Sequence, residues 1–116
     1  MPGKCVRGTV LEINLDPTIG HEIKKSRPCV VIQNDTGNKY SPLTIVAAIE
    51  GAEHVKKLYP VNVYVPKGDG GLLKDSVVLC NQIRTVDELR FGRVYGTLSG
   101  STMAEVDRAL RISLAL

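Results

Sequence analysis

Tryptophan is absent from this chain of 116 residues, and phenylalanine occurs once. With aromatics at 4% there is little from which to build a stacking platform of the kind that reads bases on an open sheet. Cysteine is sparse as well: Cys5, Cys29 and Cys80 lie far apart, with no C-x-x-C pair. Only His21 and His54 are present to join them, so no zinc-ligand spacing can be assembled and no metal or cofactor is expected. An odd cysteine count fits a reduced compartment better than a disulfide framework, and Cys29 and Cys80 sit within apolar runs as small core hydrophobes. Long apolar runs are missing too. The longest, Ile45 to Ile49, is far short of the about 20 residues that a membrane-spanning helix needs. Met1 to Gly8 holds no apolar stretch of the secretory type, so a cytoplasmic protein without membrane contact is expected. The net charge of +3 permits anionic partners without requiring them.

What the chain does have is the composition of one ordinary domain, 43% hydrophobic and 23% charged, predicted to run over residues 1–116. A chain of this length buries roughly two-thirds of its unfolded surface, enough for a core without staples. Val6 to Ile13 alternates as a strand and is broken by Asn14 to Gly20. His21 to Arg27 is polar and basic, the tail of a long loop, and Pro28 opens a continuous apolar strand over Cys29 to Gln33. Asn34 to Asn38 is expected to turn, with Gly37 at positive φ. Leu43 to Ile49 predicts a second buried strand and Tyr59 to Val65 a half-exposed one. After a loop at Gly68 to Gly71, Asp75 to Cys80 and Gln82 to Val86 predict short strands parted by Asn81. The period then changes. Thr102 and Glu105 have capping-box spacing, and Met103, Val106, Ala109, Leu110 and Leu114 mark one face of a terminal amphipathic helix. The expected fold is mainly β, a small barrel or strongly curved sheet finished by one docked helix.

Particular strings go further. Arg7 to Val10, Asp16 to Glu22 and Ser26 to Asp35 resemble the opening of the MazF/PemK toxins, the ribonuclease halves of bacterial toxin–antitoxin pairs. The similarity continues through Ser41 to Ile49, resumes over Lys74 to Asp87 and ends in the helix Met103 to Leu114, in order and with the family's spacing. The resemblance implies an SH3-like barrel with a C-terminal helix, paired as a two-fold homodimer. It further implies cleavage of single-stranded RNA at a short sequence without metal or cofactor. The 2′-hydroxyl attacks the adjacent phosphate, leaving a 2′,3′-cyclic phosphate and a 5′-hydroxyl. It also implies a MazE-like antitoxin partner, whose acidic tail lies in the RNA groove.

Arg27 matches the family's catalytic arginine. A guanidinium offers paired planar donors and a permanent charge to the phosphorane oxygens as negative charge builds on them. Where the family commonly carries threonine, just after the Ala-Ala-Ile stretch, this chain has Glu50. Three roles are open to that carboxylate: a bystander, a general base toward the 2′-hydroxyl, or a brake that repels the phosphate. Thr44 is in the same strand but too far back to replace the threonine without a shifted register. Glu22, Lys24, Lys25, Ser76 and Gln82 match or adjoin the family's RNA-binding positions. Lysines there would hold phosphates, while hydroxyl and amide groups would read base edges. Each has a plain structural alternative as a solvated loop or buried strand residue. His21, beside Glu22, has the chemistry of an acid toward the leaving 5′-oxygen; His54 reads as simply exposed. Two further functions stay open beside the nuclease: an attenuated member that only binds RNA or antitoxin, and a gyrase poison of the same fold. The C-terminus Arg111 to Leu116 lacks the latter group's signature.

Overall fold

The computed structural model describes residues 5–22 and 25–116. Its strands are β1 (Thr9–Asn14), β2 (Ser26–Val31), β3 (Leu43–Gly51), β4 (Asn62–Val65), β5 (Ser76–Asp87) and β6 (Phe91–Thr97). A short helix α1 (Asp35–Tyr40) lies between β2 and β3, and a longer one, α2 (Gly100–Leu114), follows β6. The strands form one antiparallel sheet in the order β4-β5-β3-β2-β1-β6. Among the described residues, no helix is long and apolar enough to cross a membrane.

The continuous apolar runs of the central strands follow from a sheet covered on both faces. Successive residues are sorted by the period of two. Val10, Val30, Ala47 and Ile49 join one core, with Val63, Val65 and Leu98, and α2 covers them with Val106 and Ala109. Leu11, Ile13, Cys29, Val31, Val46 and Ala48 face the other core, closed by Leu15, Val86 and Phe91. Burial pushes the Cys29 thiol up to about 12 and the Cys80 thiol to about 11, so both stay protonated within the packing.

Four local readings differ from expectation. Asn34 to Asn38 is not a simple turn. Asn34 caps α1 by accepting from the Gly37 amide at 2.7 Å, and Gly37 is helical rather than at positive φ. Glycine suits that position because a Cβ would lie 2.9 Å from the Gln33 amide. Within α1 the buried Asn38 accepts from Thr44 Oγ1 at 2.6 Å, which gives Thr44 a structural role. The two short strands expected around Asn81 are one, β5, in which Ala47 pairs Ile83 while Ala48 pairs Leu79. The residues between are extruded as a bulge, which interrupts the alternation without ending the strand. β6 was not expected, because the exposed Gly92 and Arg93 and the half-buried Gly96 dilute the strand pattern.

The fourth difference is the cap of α2. Ser99, not Thr102, is the N-cap; its hydroxyl accepts from the Thr102 amide at 3.3 Å. Thr102 instead turns its hydroxyl to Asp69 Oδ2 at 2.5 Å, and Ser99 donates to Asp69 through both its amide and hydroxyl. Glu105 pairs with Arg108. One carboxylate therefore ties the helix start to the Asp69–Gly71 turn. That turn also fits closely against β6, since a Cβ on Gly71, at φ +73°, would stand 2.1 Å from the Tyr95 carbonyl oxygen.

Partial burial raises the Asp69 pKa, but the bonds from Thr102 and Ser99 outweigh it and hold the carboxyl below the ordinary value of 3.8. A depressed folded-state pKa contributes stability above the unfolded value, and that contribution is lost as pH falls through the folded one. Replacing Asp69 by Ala is expected to cost about 1–2 kcal/mol at neutral pH in urea unfolding. The gap between variant and wild type should narrow below about pH 4.

Candidate active site

The positions of the proposed catalytic pair follow from strand register. β2 and β3 pair Cys29 with Ala48 and Val31 with Val46. Continued two residues further, the same antiparallel register sets Arg27 opposite Glu50. Their side chains meet there: Arg27 Nη1 donates to Glu50 Oε1 at 2.8 Å, with side-chain exposures of 23% and 24%. The same nitrogen lies 3.4 Å from the Ile49 carbonyl, and the Gly51 amide donates to Glu50 Oε1 at 3.1 Å. The guanidinium is thus fixed on the edge of β3 rather than extended into solvent.

This pair lines an open cavity of about 540 Å³ that also receives Glu12, His54, Leu72, Lys74, Ser76 and Tyr95. The one-turn helix Ala52–His54 follows β3 directly and brings His54 to the same cavity. Lys74 Nζ donates to Glu53 Oε2 at 2.5 Å, and His54 Nε2 lies 3.4 Å from that oxygen. The Lys74 hydrogen bond holds the Glu53 carboxyl below its ordinary range. Tyr95 donates its hydroxyl to Glu12 at 2.7 Å, with the Arg93 guanidinium stacked on its ring. The bond to the Glu12 carboxylate, with some burial, raises the Tyr95 pKa, so the phenol keeps its proton. Ser76, also at this cavity, is 3% exposed and donates to the Lys74 carbonyl at 2.8 Å. Cations (Arg27, Lys74) and carboxylates (Glu12, Glu50) therefore share the cavity, an arrangement suited to holding a phosphodiester while moving protons beside it.

The other expected RNA-binding residues stand elsewhere. Glu22 and Gln82 line a second depression of about 390 Å³, with His21, Asn81, Arg84 and Ala48. Ala48 is two residues from Glu50 along β3, so the two hollows share that strand. Glu22 accepts from the Ile19 amide at 2.7 Å and so also braces its own loop. Arg84 reaches across to donate to the Leu15 carbonyl. Lys25 is exposed at φ 67°, with its amide bonded to Asp16 Oδ1 at 3.0 Å. Lys24 lies outside the described residues. Among the described residues, no group of three or more His, Cys, Asp or Glu is gathered to hold a metal ion. Sequence reasoning passed over His54 because its polar surroundings carry no apolar signal; its distance of four residues from Glu50 was the available clue.

A family model described as the PemK-like, MazF-like toxin of type II toxin–antitoxin systems matches residues 6–114. The chain belongs to this PemK/MazF family. Among solved structures similar to it is MazF from Deinococcus radiodurans, with TM-score 0.82 and 24% identity, covering 97% of this chain and 98% of that one. An endoribonuclease from a mycobacterial species, in complex with its cognate antitoxin, gives TM-score 0.80 at 20% identity over 97% of this chain and 96% of that one. The Mycobacterium tuberculosis toxin MazF-mt6 gives 0.76 at 24%, over 93% and 97%. The expected fold, a curved mainly β sheet with a C-terminal helix, is therefore the MazF fold. In this PemK/MazF chain the edge of β3 carries glutamate beside the arginine.

An ion pair about a quarter exposed is worth more than a fully solvated one, yet screening by water limits it. A double-mutant cycle over Arg27→Ala and Glu50→Ala, read by urea unfolding, is expected to give a coupling of about 1 kcal/mol. The coupling should shrink at high salt. Additive losses would show that the pair is not formed in solution.

Proposed function

We propose that this toxin is a metal-independent endoribonuclease that cuts single-stranded RNA at a short sequence. The observation that carries the reading is the Arg27–Glu50 contact of 2.8 Å at the edge of an open cavity. Arg27 holds the scissile phosphate and stabilises the charge that gathers on its oxygens. Glu50 is the general base. It removes the 2′-hydroxyl proton; the 2′-oxygen then bonds to phosphorus and the bond to the 5′-oxygen breaks. The products are a 2′,3′-cyclic phosphate and a 5′-hydroxyl. The resting ion pair orients both groups, and an entering phosphate takes over the guanidinium donors while leaving the carboxylate at the 2′ side. Glu22 and Gln82, in the neighbouring hollow, contact flanking nucleotides, and Lys24 and Lys25 steer the RNA backbone.

The similarity to an endoribonuclease solved with its cognate antitoxin supports a MazE-like antitoxin as the partner that silences this chain. A two-fold homodimer fits the apolar hollow between α2 and the sheet, lined by Ile32, Ile45, Ile83, Leu110 and Leu114.

Purified protein is to be incubated with a long unstructured RNA in EDTA, and every new 5′ end mapped and tested for its terminal group. Defined cuts with 5′-hydroxyl ends are expected, reduced at least about 100-fold in Arg27→Ala. Intact RNA with folded wild-type protein would favour the attenuated, binding-only reading, and strong activation by Glu50→Thr would identify glutamate as a brake. Inhibition of gyrase supercoiling without RNA cleavage would move the chain to the gyrase poisons.

A further inference from the structure

The reaction proposed above moves two protons, and Glu50 accounts for one. The departing 5′-oxygen must gain the other, since an alkoxide is a poor leaving group. Besides Glu50 and His54, five side chains at the cavity carry donor protons; a serine hydroxyl such as that of Ser26 is too weak an acid for the task, and the partners of the other four sort them. Arg27 stays charged at any working pH and gives up no proton. Tyr95 is held to its proton by Glu12. Lys74 is bound to Glu53 at 2.5 Å. Ser76 is buried and donates to a carbonyl. His54 differs from all of these. It is exposed, its Nε2 stands 3.4 Å from the Glu53 carboxylate, and imidazole is the side chain that exchanges protons between pH 5 and 8. The turn Ala52–His54 places it four residues past Glu50, on the wall of the same cavity. His21, the histidine favoured by sequence position, lines the other hollow.

We propose that His54 is the general acid of this site, a role that rests on the nuclease reading. As the 2′-oxygen bonds to phosphorus, the imidazolium transfers a ring N–H proton to the 5′-oxygen while the bond between phosphorus and that 5′-oxygen breaks. Glu50 leaves the step protonated and His54 neutral, and exchange with water restores both. The charged groups around the imidazole are Glu53 on its own turn, Lys74 from the segment before β5, and Arg27, Glu50 and the Tyr95-bonded Glu12 at the same cavity. Glu53 and Lys74 form an ion pair with each other.

The test compares two versions of one RNA oligonucleotide, one with the natural 5′-oxygen at the cut and one with a bridging 5′-sulfur. Sulfur departs as a thiolate and needs no proton. His54→Gln and His54→Asn are expected to cut the natural oligonucleotide at least about 100-fold more slowly. Both should cut the sulfur-bridged oligonucleotide at close to the wild-type rate, while Glu50→Gln stays slow on it. Wild-type rates for the His54 variants on the natural oligonucleotide would overturn the role. So would equal slowing on both, which would make His54 a positioning or binding residue. Failure of the wild type on both would overturn the nuclease reading itself, and this inference with it.

Discussion

Most of what this molecule offers chemically depends on the β2–β3 register. Because Cys29 pairs with Ala48, Arg27 must oppose Glu50, and the contact of 2.8 Å between them is the consequence. A slip of one residue would send Arg27 to the other face of the sheet and move Cys29 and Val31 out of their core. That is why the register is firmly specified. The apolar residues that fill both faces also fix the pair, so stability and chemistry rest on the same pattern.

The rest of the fold serves as a frame for that edge. The two cores make the central strands a rigid platform, and groups placed on strand ends are held more closely than groups on loops. The bulge in β5 changes which residues face β3, so that Gln82 and Arg84 come to the second hollow while Ser76 and Val77 pair beside Glu50. Asp69 joins the helix start to the turn that precedes Leu72, and Leu72 lines the cavity that holds Arg27 and Glu50. The helix is thus coupled to the wall of the site through a single carboxylate.

Much of this was legible in the sequence. Both central strands and the terminal helix were marked by apolar runs and helical period, and the family by a match in six ordered blocks. The bulge was readable only as a break, because Asn81 looks the same whether it ends a strand or is extruded from one. The helix cap was misplaced because Ser99 and Thr102 both have capping chemistry, and the choice between them is made by Asp69, 30 residues from Ser99. His54 was passed over because its importance lies in what shares its cavity, and that depends on pairing across strands far apart in the chain.

The central claim is that the carboxylate in the usual threonine position acts as a base beside the arginine. It is tested most directly by single-turnover cleavage of one short RNA across a range of pH in EDTA, with wild type and Glu50→Gln. Glu50→Gln should be at least about 100-fold slower than wild type, and its pH–rate profile should differ in shape from the wild-type one. Equal rates and matching profiles for the two proteins would contradict it.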